Sequence, residues 1–140
     1  MNEIIKELQK QVKIAIHNNE IPVGAVIVDE KNKIIAVGNN DRQNTYSVLG
    51  HAEINAILKA ERYIKDWRLD GFKMYVTLEP CDMCSIIIKE SRLDKVIFFV
   101  ENGNSNKNIV INKEQIDIKE YYEIYNEFKD NIVAFFKGKR

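Results

Sequence analysis

The sequence predicts a three-layer α/β/α domain in which a mixed sheet of about five strands lies between helices on both faces. Three observations predict it. An amphipathic helical pattern opens the chain, two β-branched runs follow it, and the remainder alternates between helical and strand patterns. With 140 residues, a mass of 16.3 kDa and 45% hydrophobic residues, the chain has the size of one core, so we expect a single domain over residues 1–140.

The first fifty residues supply a helix, a hairpin and a loop. Over residues 3–18, apolar side chains recur at steps of three and four, which is typical of a helix lying on a sheet. Residues 21–28 and 33–37 are β-branched runs separated by a polar stretch, and they predict a hairpin at the centre of the fold. Residues 39–50 are polar and without a clear period, so we expect a loop there, of the kind that often lines a site.

Beyond residue 50, helical and strand patterns alternate. They predict, in chain order, a helix over residues 52–62, a strand over 72–78, a helix over 81–90, a strand over 95–100, a polar loop over 101–108, a short strand over 109–111 and a closing helix over 118–136. His51 would open the first of these helices, and Pro80 suits the first turn of the second. Candidate metal ligands therefore fall where a strand or loop precedes a helix, and such positions border the binding crevices of open sheets.

Composition argues against several classes of protein. The 21 Lys and Arg residues balance the 21 Asp and Glu residues, so any nucleic acid would have to be held by a local patch rather than by a global basic field. No apolar run approaches the length of a membrane span, and the first residues lack the basic-then-apolar order of a secretory signal. We therefore expect a cytoplasmic protein without a membrane partner. The two cysteines are too few and too close together for the disulfide framework of a secreted domain.

Cys81 and Cys84 have the spacing of a metal-binding or a redox pair. At positions i and i+3 of a predicted helix, both sulfurs face one side of its first turn, where the helix N-terminus favours the thiolate that binds metal. His51 would supply an imidazole as the third ligand. Three protein ligands leave one position of a tetrahedral zinc ion open for water, as in catalytic sites. The cysteine pair alone is also compatible with a thioredoxin-like redox motif, but Pro80 before it and His51 and Glu53 upstream match a known zinc signature, so we expect one catalytic Zn²⁺ per chain.

Glu53 lies two residues after His51 and has its own predicted role. A carboxylate there can take a proton from the attacking water and then return protons to the substrate. The alternative is a carboxylate that only complements the dipole of its helix. His17 is expected to be a surface residue rather than a fourth ligand, and Glu79 is expected to fix the turn before Pro80.

Together, these residues resemble the cytidine deaminase-like superfamily, and more closely the bacterial tRNA adenosine deaminases that make inosine at the wobble position. The resemblance rests on the following parts of the sequence: His51, Glu53, Pro80, Cys81 and Cys84, and residues 21–26, 38–40, 50–56, 75–84 and 134–140. It implies a cytidine deaminase-like fold, hydrolytic deamination of a nucleobase with one Zn²⁺ per chain, and a homodimer.

The resemblance also implies substrate contacts. Asn40 would hydrogen-bond the flipped base, the backbone of Ala52 would help to orient it, and Val23 would form an apolar wall. The C-terminal tail would lie against RNA through Phe136, Lys137, Lys139 and Arg140.

Two substrate classes remain open at this point. The leading hypothesis is adenosine in a tRNA anticodon loop, and the alternative is the same chemistry on a free base or nucleoside: cytosine, guanine, cytidine or adenosine. The chain departs from the tRNA enzymes at Glu101 and Asn102, where those enzymes typically have an Arg-Asp pair, and its next loop is rich in asparagine rather than glycine. A third hypothesis, a non-catalytic zinc domain that binds a partner, predicts loss of the glutamate that is present here as Glu53.

Overall fold

A five-stranded mixed sheet organises the computed structural model, which describes residues 1–104 and 108–138. The strands are β1 (Gly24–Val28), β2 (Ile34–Asn39), β3 (Lys73–Leu78), β4 (Lys95–Val100) and β5 (Lys113–Gln115). The helices are α1 (Asn2–His17), α2 (Arg42–Thr45), α3 (Ala52–Ile64), α4 (Asp82–Glu90) and α5 (Tyr122–Lys137). The strand order is β2-β1-β3-β4-β5, with β1 antiparallel to both of its neighbours and the last three strands parallel to one another.

Helices cover both faces of the sheet, which confirms the three-layer α/β/α prediction. Helices α1 and α5 share one hydrophobic core with residues such as Val26, and α3 and α4 share the other with residues such as Ile27. The ring of Phe128 in α5 meets Phe99 of β4 edge-on, with 5.2 Å between centroids, and this contact holds the closing helix on the sheet. None of the described helices combines the length and the apolar character needed to cross a bilayer.

The predicted hairpin exists, but the prediction that it lies at the centre of the fold is wrong. Strand β2 is an edge strand, because only β1 pairs with it, whereas β1 lies between β2 and β3. All five residues of β1 are buried, while β2 alternates between buried and half-buried positions. A β-branched run indicates a strand but does not determine its place in the sheet. The predicted loop over residues 39–50 contains the helix α2, which is too short to produce a visible period.

The predicted strand over residues 109–111 is also wrong. The last strand is β5, which begins at Lys113, directly opposite Val96 of β4. Val110 is 72% exposed, so the apolar run before β5 does not mark a buried strand. The polar residues of β5 suit an edge, where charged side chains discourage pairing with a further chain. The closing helix begins at Tyr122 rather than at residue 118, because Asp117 accepts hydrogen bonds from the next backbone amides and forms a turn.

The topology brings the carboxyl ends of β2 and β3 to the same end of the sheet. Both strands are antiparallel to β1, so they run in the same direction as each other. The chain crosses from β2 to β3 through α3 and from β3 to β4 through α4. The first turns of these two helices therefore lie at the carboxyl ends of the strands, where open sheets bind ligands.

Gly38 of β2 permits the close approach of α3 to the sheet. A Cβ atom at this position would overlap the carbonyl oxygen of Ala52 and lie 2.7 Å from the backbone nitrogen of Ala56. Neither backbone atom can move without moving the first turns of α3. A side chain at position 38 would therefore displace the helix that begins at His51.

We expect Gly38→Ala to lower the free energy of unfolding by about 1–3 kcal/mol through this overpacking. Gly103→Ala is the matched control, because a Cβ atom there meets nothing within 4 Å, and we expect a change within about 0.5 kcal/mol. Urea denaturation of both variants measures the difference. Equal stabilities of the two variants would contradict the close approach described for Gly38.

Candidate active site

Two helices begin at the carboxyl ends of the strands, and each carries candidate metal ligands near its start. His51 is the N-cap of α3 and has extended backbone angles (φ −96°, ψ 145°), and Cys81 is the N-cap of α4 (φ −71°, ψ 175°). The side chain of His51 makes no capping hydrogen bond to α3. Cys84 lies in the first turn of α4, as Glu53 does in α3. The sequence prediction that α4 begins at Cys81 is thus one residue early, with Pro80 before the cap.

The side chains of His51, Cys81 and Cys84 form one cluster with the geometry of a zinc site. Their ligand atoms all lie within 4.8 Å of one another. The Nδ1 atom of His51 is 3.4 Å from the Sγ atom of Cys84 and 3.8 Å from that of Cys81. Tetrahedral zinc, with bonds of about 2.3 Å to sulfur and 2.0 Å to nitrogen, places such atoms about 3.5 Å apart. Two thiolates and an imidazole therefore fit zinc in both chemistry and spacing.

Hydrogen bonding within the cluster prepares Cys81 to act as a ligand. The pKa of the Cys81 thiol is lowered to about 4 by hydrogen bonds from Cys84 and His51. Conversely, the hydrogen bond to the Cys81 thiolate raises the pKa of Cys84, and it raises the pKa of His51 as well. Cys81 is therefore ionised at neutral pH, and thiolate is the form that binds metal.

Glu53 is a buried acid beside the cluster, with only 4% of its surface exposed. Burial raises the pKa of its carboxyl group to about 7, against the opposing effects of a hydrogen bond from its own backbone amide and the charge of His51. A carboxyl group with this pKa can both accept and donate a proton at neutral pH. Glu53 therefore has the environment of a general acid and base.

A cavity of about 440 Å³ opens above this cluster, within the usual range of small-molecule sites. His51, Glu53 and Cys81 lie on its floor. Its wall includes residues of the segments that enter and leave the hairpin and residues of the last turns of α5. The cavity is thus closed by parts of the chain that are far apart in sequence.

The family model of the MafB19-like deaminases matches residues 1–137, nearly the whole chain. The chain belongs to the MafB19-like deaminase family. The cluster of His51, Cys81 and Cys84 is typical of the zinc site in such deaminases. Family membership and geometry therefore agree on a zinc centre in which Glu53 lies beside the metal ligands.

Similar proteins share both sequence and fold with this member of the MafB19-like deaminase family. A tRNA-specific adenosine deaminase of Rickettsia bellii is 46% identical over 95 residues, which are 67% of this chain and 66% of that protein. The alignment therefore spans just under two thirds of that relative's length. A tRNA-specific adenosine deaminase of Buchnera aphidicola subsp. Schizaphis graminum is 36% identical over 138 residues, which are 94% of this chain and 90% of that protein. A solved tRNA:A34 deaminase shares the fold with a TM-score of 0.75 at 24% identity, covering 82% of this chain and 98% of that one.

The residues expected to contact substrate lie in and around the cavity of this family member. Val23, Asn40 and Phe136 line it, with Val23 and Asn40 buried and Phe136 half exposed. Ala52 is fully buried and does not line the cavity, but its backbone N–H donates a 2.7 Å hydrogen bond to the Oδ1 atom of Asn40. Lys137 is the last residue of α5 and is exposed. The expected RNA contacts Lys139 and Arg140 lie outside the described residues.

Sequence reasoning missed Arg42 and most of the wall that α5 contributes. Lys129, Ile132, Val133 and Phe136 line the cavity together. These four positions follow the i, i+3, i+4, i+7 pattern of one helix face, in which Ile132 also packs against the core while Val133 and Phe136 are about half exposed. That periodicity is visible in the sequence and could have indicated a face that extends beyond the core. His17 is exposed and takes no part in the metal cluster within residues 1–104 and 108–138, as expected.

Two carboxylates in the cavity wall hold the surrounding segments in place. Glu79 accepts a 3.0 Å hydrogen bond from the backbone N–H of Asn102 and forms a 2.6 Å ion pair with Lys113, so it joins the end of β3 to the segment after β4 and to β5. These contacts are with distant segments, and a role in the turn before Pro80 stays a prediction. Glu101 accepts a 2.9 Å hydrogen bond from the hydroxyl group of Tyr125 in α5. The residue at which this sequence departs from the tRNA enzymes therefore ties the end of β4 to the helix that closes the cavity.

We expect Glu101→Gln to destabilise the fold at pH 7 and to lose this effect in acid. The pKa of Glu101 is lowered by a hydrogen bond from its own backbone amide and by those from Tyr125 and Gln115. A lowered pKa in the folded state means that ionised Glu101 stabilises the protein above the unfolded-state pKa near 4.5. This stabilisation is lost as the pH falls through the folded-state pKa.

Denaturation of the wild type and of Glu101→Gln at a series of pH values from 7 downward measures this effect. The difference between their free energies of unfolding should shrink below about pH 4.5. Because the two proteins are compared at each pH, effects of acid on the rest of the chain cancel. A difference that stays constant over the whole series would contradict the role of the ionised carboxylate.

Proposed function

We propose that the chain is a zinc-dependent hydrolase that deaminates adenosine in the anticodon loop of tRNA, releasing inosine-containing RNA and ammonia. The observation that carries the proposal is the buried carboxylate of Glu53 beside the three-ligand cluster on the cavity floor. The relatives from Rickettsia and Buchnera, both named as tRNA-specific adenosine deaminases, support the choice of substrate. His51, Cys81 and Cys84 would hold the zinc ion.

Glu53 is the residue that moves protons in this proposal. The oxygen of a water molecule bonds to C6 of adenine, the bond from C6 to the exocyclic nitrogen breaks, and the amine leaves as ammonia. A bound zinc ion would acidify the attacking water. The carboxylate of Glu53 takes one proton from this water and delivers it to ring nitrogen N1. It then takes the second proton from the oxygen that is now bonded to C6 and delivers it to the leaving amine, so that the C6 carbonyl group forms as ammonia leaves. Its pKa of about 7 suits both directions of transfer at neutral pH.

Asn40 and Val23 are the proposed contacts to the base. The Oδ1 atom of Asn40 accepts the backbone N–H of Ala52, which fixes the amide and leaves its NH₂ group to donate to a ring acceptor. In this way Ala52 orients the base through Asn40. Val23 would give the base an apolar surface, and Phe136 of α5, which lines the same cavity, would give it an aromatic one. The net charge of zero requires that RNA be held by local groups such as these rather than by a general basic field.

The choice between RNA and a small substrate is tested by ammonia release from a panel of substrates. The panel contains an anticodon stem-loop RNA with adenosine at the wobble position, free adenosine, cytidine, cytosine and guanine. We expect release from the stem-loop RNA and none from a matched stem-loop with uridine in place of that adenosine. Activity confined to the free bases or nucleosides would overturn the tRNA proposal and leave the zinc-dependent chemistry in place.

We further propose that two copies of the chain pair through the outer faces of α3 and α4. Leu58 of α3 is 42% exposed and Ile86 of α4 is 50% exposed, although both are large apolar residues. The resemblance to deaminases that pair through sheet-flanking helices also supports a homodimer. Sedimentation velocity should show a dimer that Ile86→Glu converts to a monomer, whereas Lys10→Glu on α1 leaves it intact. A monomeric wild type at micromolar concentration would contradict this part of the proposal.

We place the protein in the cytoplasm as one domain over residues 1–140. Cys81 and Cys84 are free cysteines, and a reducing compartment keeps such thiols available for zinc. The two hydrophobic cores lie on opposite faces of one sheet, which supports a single domain.

A further inference from the structure

Glu20 is a buried acid that the proposed reaction does not use. It follows α1, only 2% of its surface is exposed, and its backbone N–H donates a 2.9 Å hydrogen bond to the carbonyl oxygen of Ala15. Its two carboxylate oxygens accept hydrogen bonds from the backbone amides of Gln43 (3.2 Å) and Asn44 (2.8 Å), and the side-chain amide of Asn44 donates a third. A buried carboxylate with three donors is fully satisfied, so it is a fixed part of the structure.

The hydrogen bonds of Glu20 keep it ionised. Burial alone would raise its pKa, but the hydrogen bonds from Asn44 and Gln43, together with the charge of Arg42, lower the pKa below its ordinary value. The carboxylate is therefore a permanent acceptor at neutral pH. It stabilises the N–H groups of α2, which is too short to satisfy them within the helix.

The segment between Asn40 and His51 is held at two places. At its neck, the backbone N–H of Asp41 donates a 2.9 Å hydrogen bond to the carbonyl oxygen of Gly50, and the side chain of Asn55 donates one of 2.9 Å to the carboxylate of Asp41. At its middle, α2 is held by Glu20, and the side-chain amide of Asn44 also donates a 3.0 Å hydrogen bond to the carbonyl oxygen of Asn18. The neck is thus secured from α3, whereas α2 is held from the end of α1, where Glu20 accepts from two backbone amides of α2.

Arg42, the first residue of α2, is the group that this arrangement brings to the cavity. It lines the cavity and is exposed, and within the described part of the chain its guanidinium group has no hydrogen bond or ion pair. The oxygens of Glu20 are already occupied by amide donors. Among the described residues, Lys129 also lines the cavity, and it lies 3.8 Å from the carboxylate of Glu101, which partly neutralises it. Of these two cations in the described part of the wall, Arg42 is therefore the one that is available to an anion.

We propose that Glu20 is a positioning residue that holds α2 so that Arg42 binds a phosphate group of the substrate at the cavity mouth. This inference rests on the proposed RNA substrate. The base occupies the floor beside Glu53, so the phosphates of its own nucleotide and of the next one lie outward, near the mouth. A guanidinium group offers several donors in a fixed plane and suits a phosphate group.

Glu20 could affect RNA binding in two ways, as a nearby negative charge or as the residue that positions Arg42. Its substitution changes RNA binding in opposite directions in these two cases. If Glu20 were only a charge near RNA, Glu20→Gln would strengthen binding, because it removes a repulsion. If Glu20 positions Arg42, the same change weakens binding, because an amide NH₂ group then faces the N–H donors of α2. The sign of the change therefore distinguishes the two.

The test measures KM and kcat on the stem-loop RNA, together with the dissociation constant of the same RNA by fluorescence anisotropy. We expect Arg42→Ala and Glu20→Gln each to raise KM and the dissociation constant about tenfold, with the effect falling on KM rather than on kcat. The double variant should bind the RNA no more weakly than either single variant does, because the two substitutions remove the same contact. For Arg42→Ala, the slope of the logarithm of affinity against the logarithm of salt concentration should fall by about one. Lys31→Ala is the matched control for loss of a cation, because Lys31 lies in the turn between β1 and β2, at the opposite end of these strands from the cavity.

Amide hydrogen exchange tests the position of α2 without any substrate. We expect the amide of Asn44 to exchange faster in Glu20→Gln than in the wild type, and unchanged exchange would overturn the positioning role. RNA binding that is unchanged in Arg42→Ala, or stronger in Glu20→Gln, would overturn the inference while leaving the proposed function intact. A wild type that neither binds nor deaminates the stem-loop RNA would overturn both.

Discussion

Glu53→Gln should abolish deamination while one zinc ion remains bound per chain. The amide has the shape of the carboxyl group but cannot take a proton from water or return one to the base, so general acid and base catalysis is lost. We expect kcat to fall by about 10³-fold or more. Glu53 is not needed as a ligand, since the three ligand atoms of His51, Cys81 and Cys84 already form the cluster. Initial rates of inosine formation, with zinc content by atomic absorption, measure both parts.

Glu61→Gln is the matched control for this variant, because it removes a glutamate from the same helix away from the cavity. It should retain the wild-type rate and zinc content. A Glu53→Gln protein that is as active as Glu61→Gln would refute the assigned role. In that case the buried carboxylate of Glu53 would have a structural role and no catalytic role.

Replacing His51 by Ala should remove both the metal and the activity. His51 joins the start of α3 to the two cysteines at the start of α4, and two thiolates alone leave zinc with too few ligands. We expect the zinc content of protein purified under reducing conditions to fall from about one ion per chain to nearly none. Because a ligand that binds the folded state stabilises it, the melting temperature should fall as well, and added zinc should not restore it.

The chain contains one other histidine, which provides the control for His51→Ala. His17→Ala changes an exposed residue near the end of α1 and should keep the wild-type zinc content, activity and melting temperature. Loss of zinc in His17→Ala, or its retention in His51→Ala, would contradict the assignment of the ligands.

The metal site could be predicted from the sequence because its parts are local. Cys81 and Cys84 are one helical turn apart, and Glu53 follows His51 at the start of another helix, so their arrangement depends on where two helices begin and on the strand order that brings these starts together. The two periodicities that mark helices and strands located those starts to within one residue. The alternation of elements then determined the layers of the fold.

The surroundings of the site depend on contacts between distant parts of the chain, which no local pattern shows. Glu20 and Asn44 are 24 positions apart, and nothing in the sequence around Glu20 distinguishes it from a surface acid. Strand β5 contains no apolar residue, because its place is fixed by pairing with β4 rather than by burial. The contact between Glu101 and Tyr125 likewise forms only after α5 has packed on the sheet.

The hydrolytic deamination of RNA adenosine is tested most directly in water enriched with heavy oxygen. The wild-type protein, loaded with zinc, is incubated with the anticodon stem-loop RNA, which is then digested to nucleosides for mass spectrometry. The proposed reaction predicts inosine in place of the wobble adenosine, one heavy oxygen atom on its base, and one ammonia released for each inosine formed. RNA that keeps its adenosine, or inosine without the heavy oxygen, would contradict the central claim.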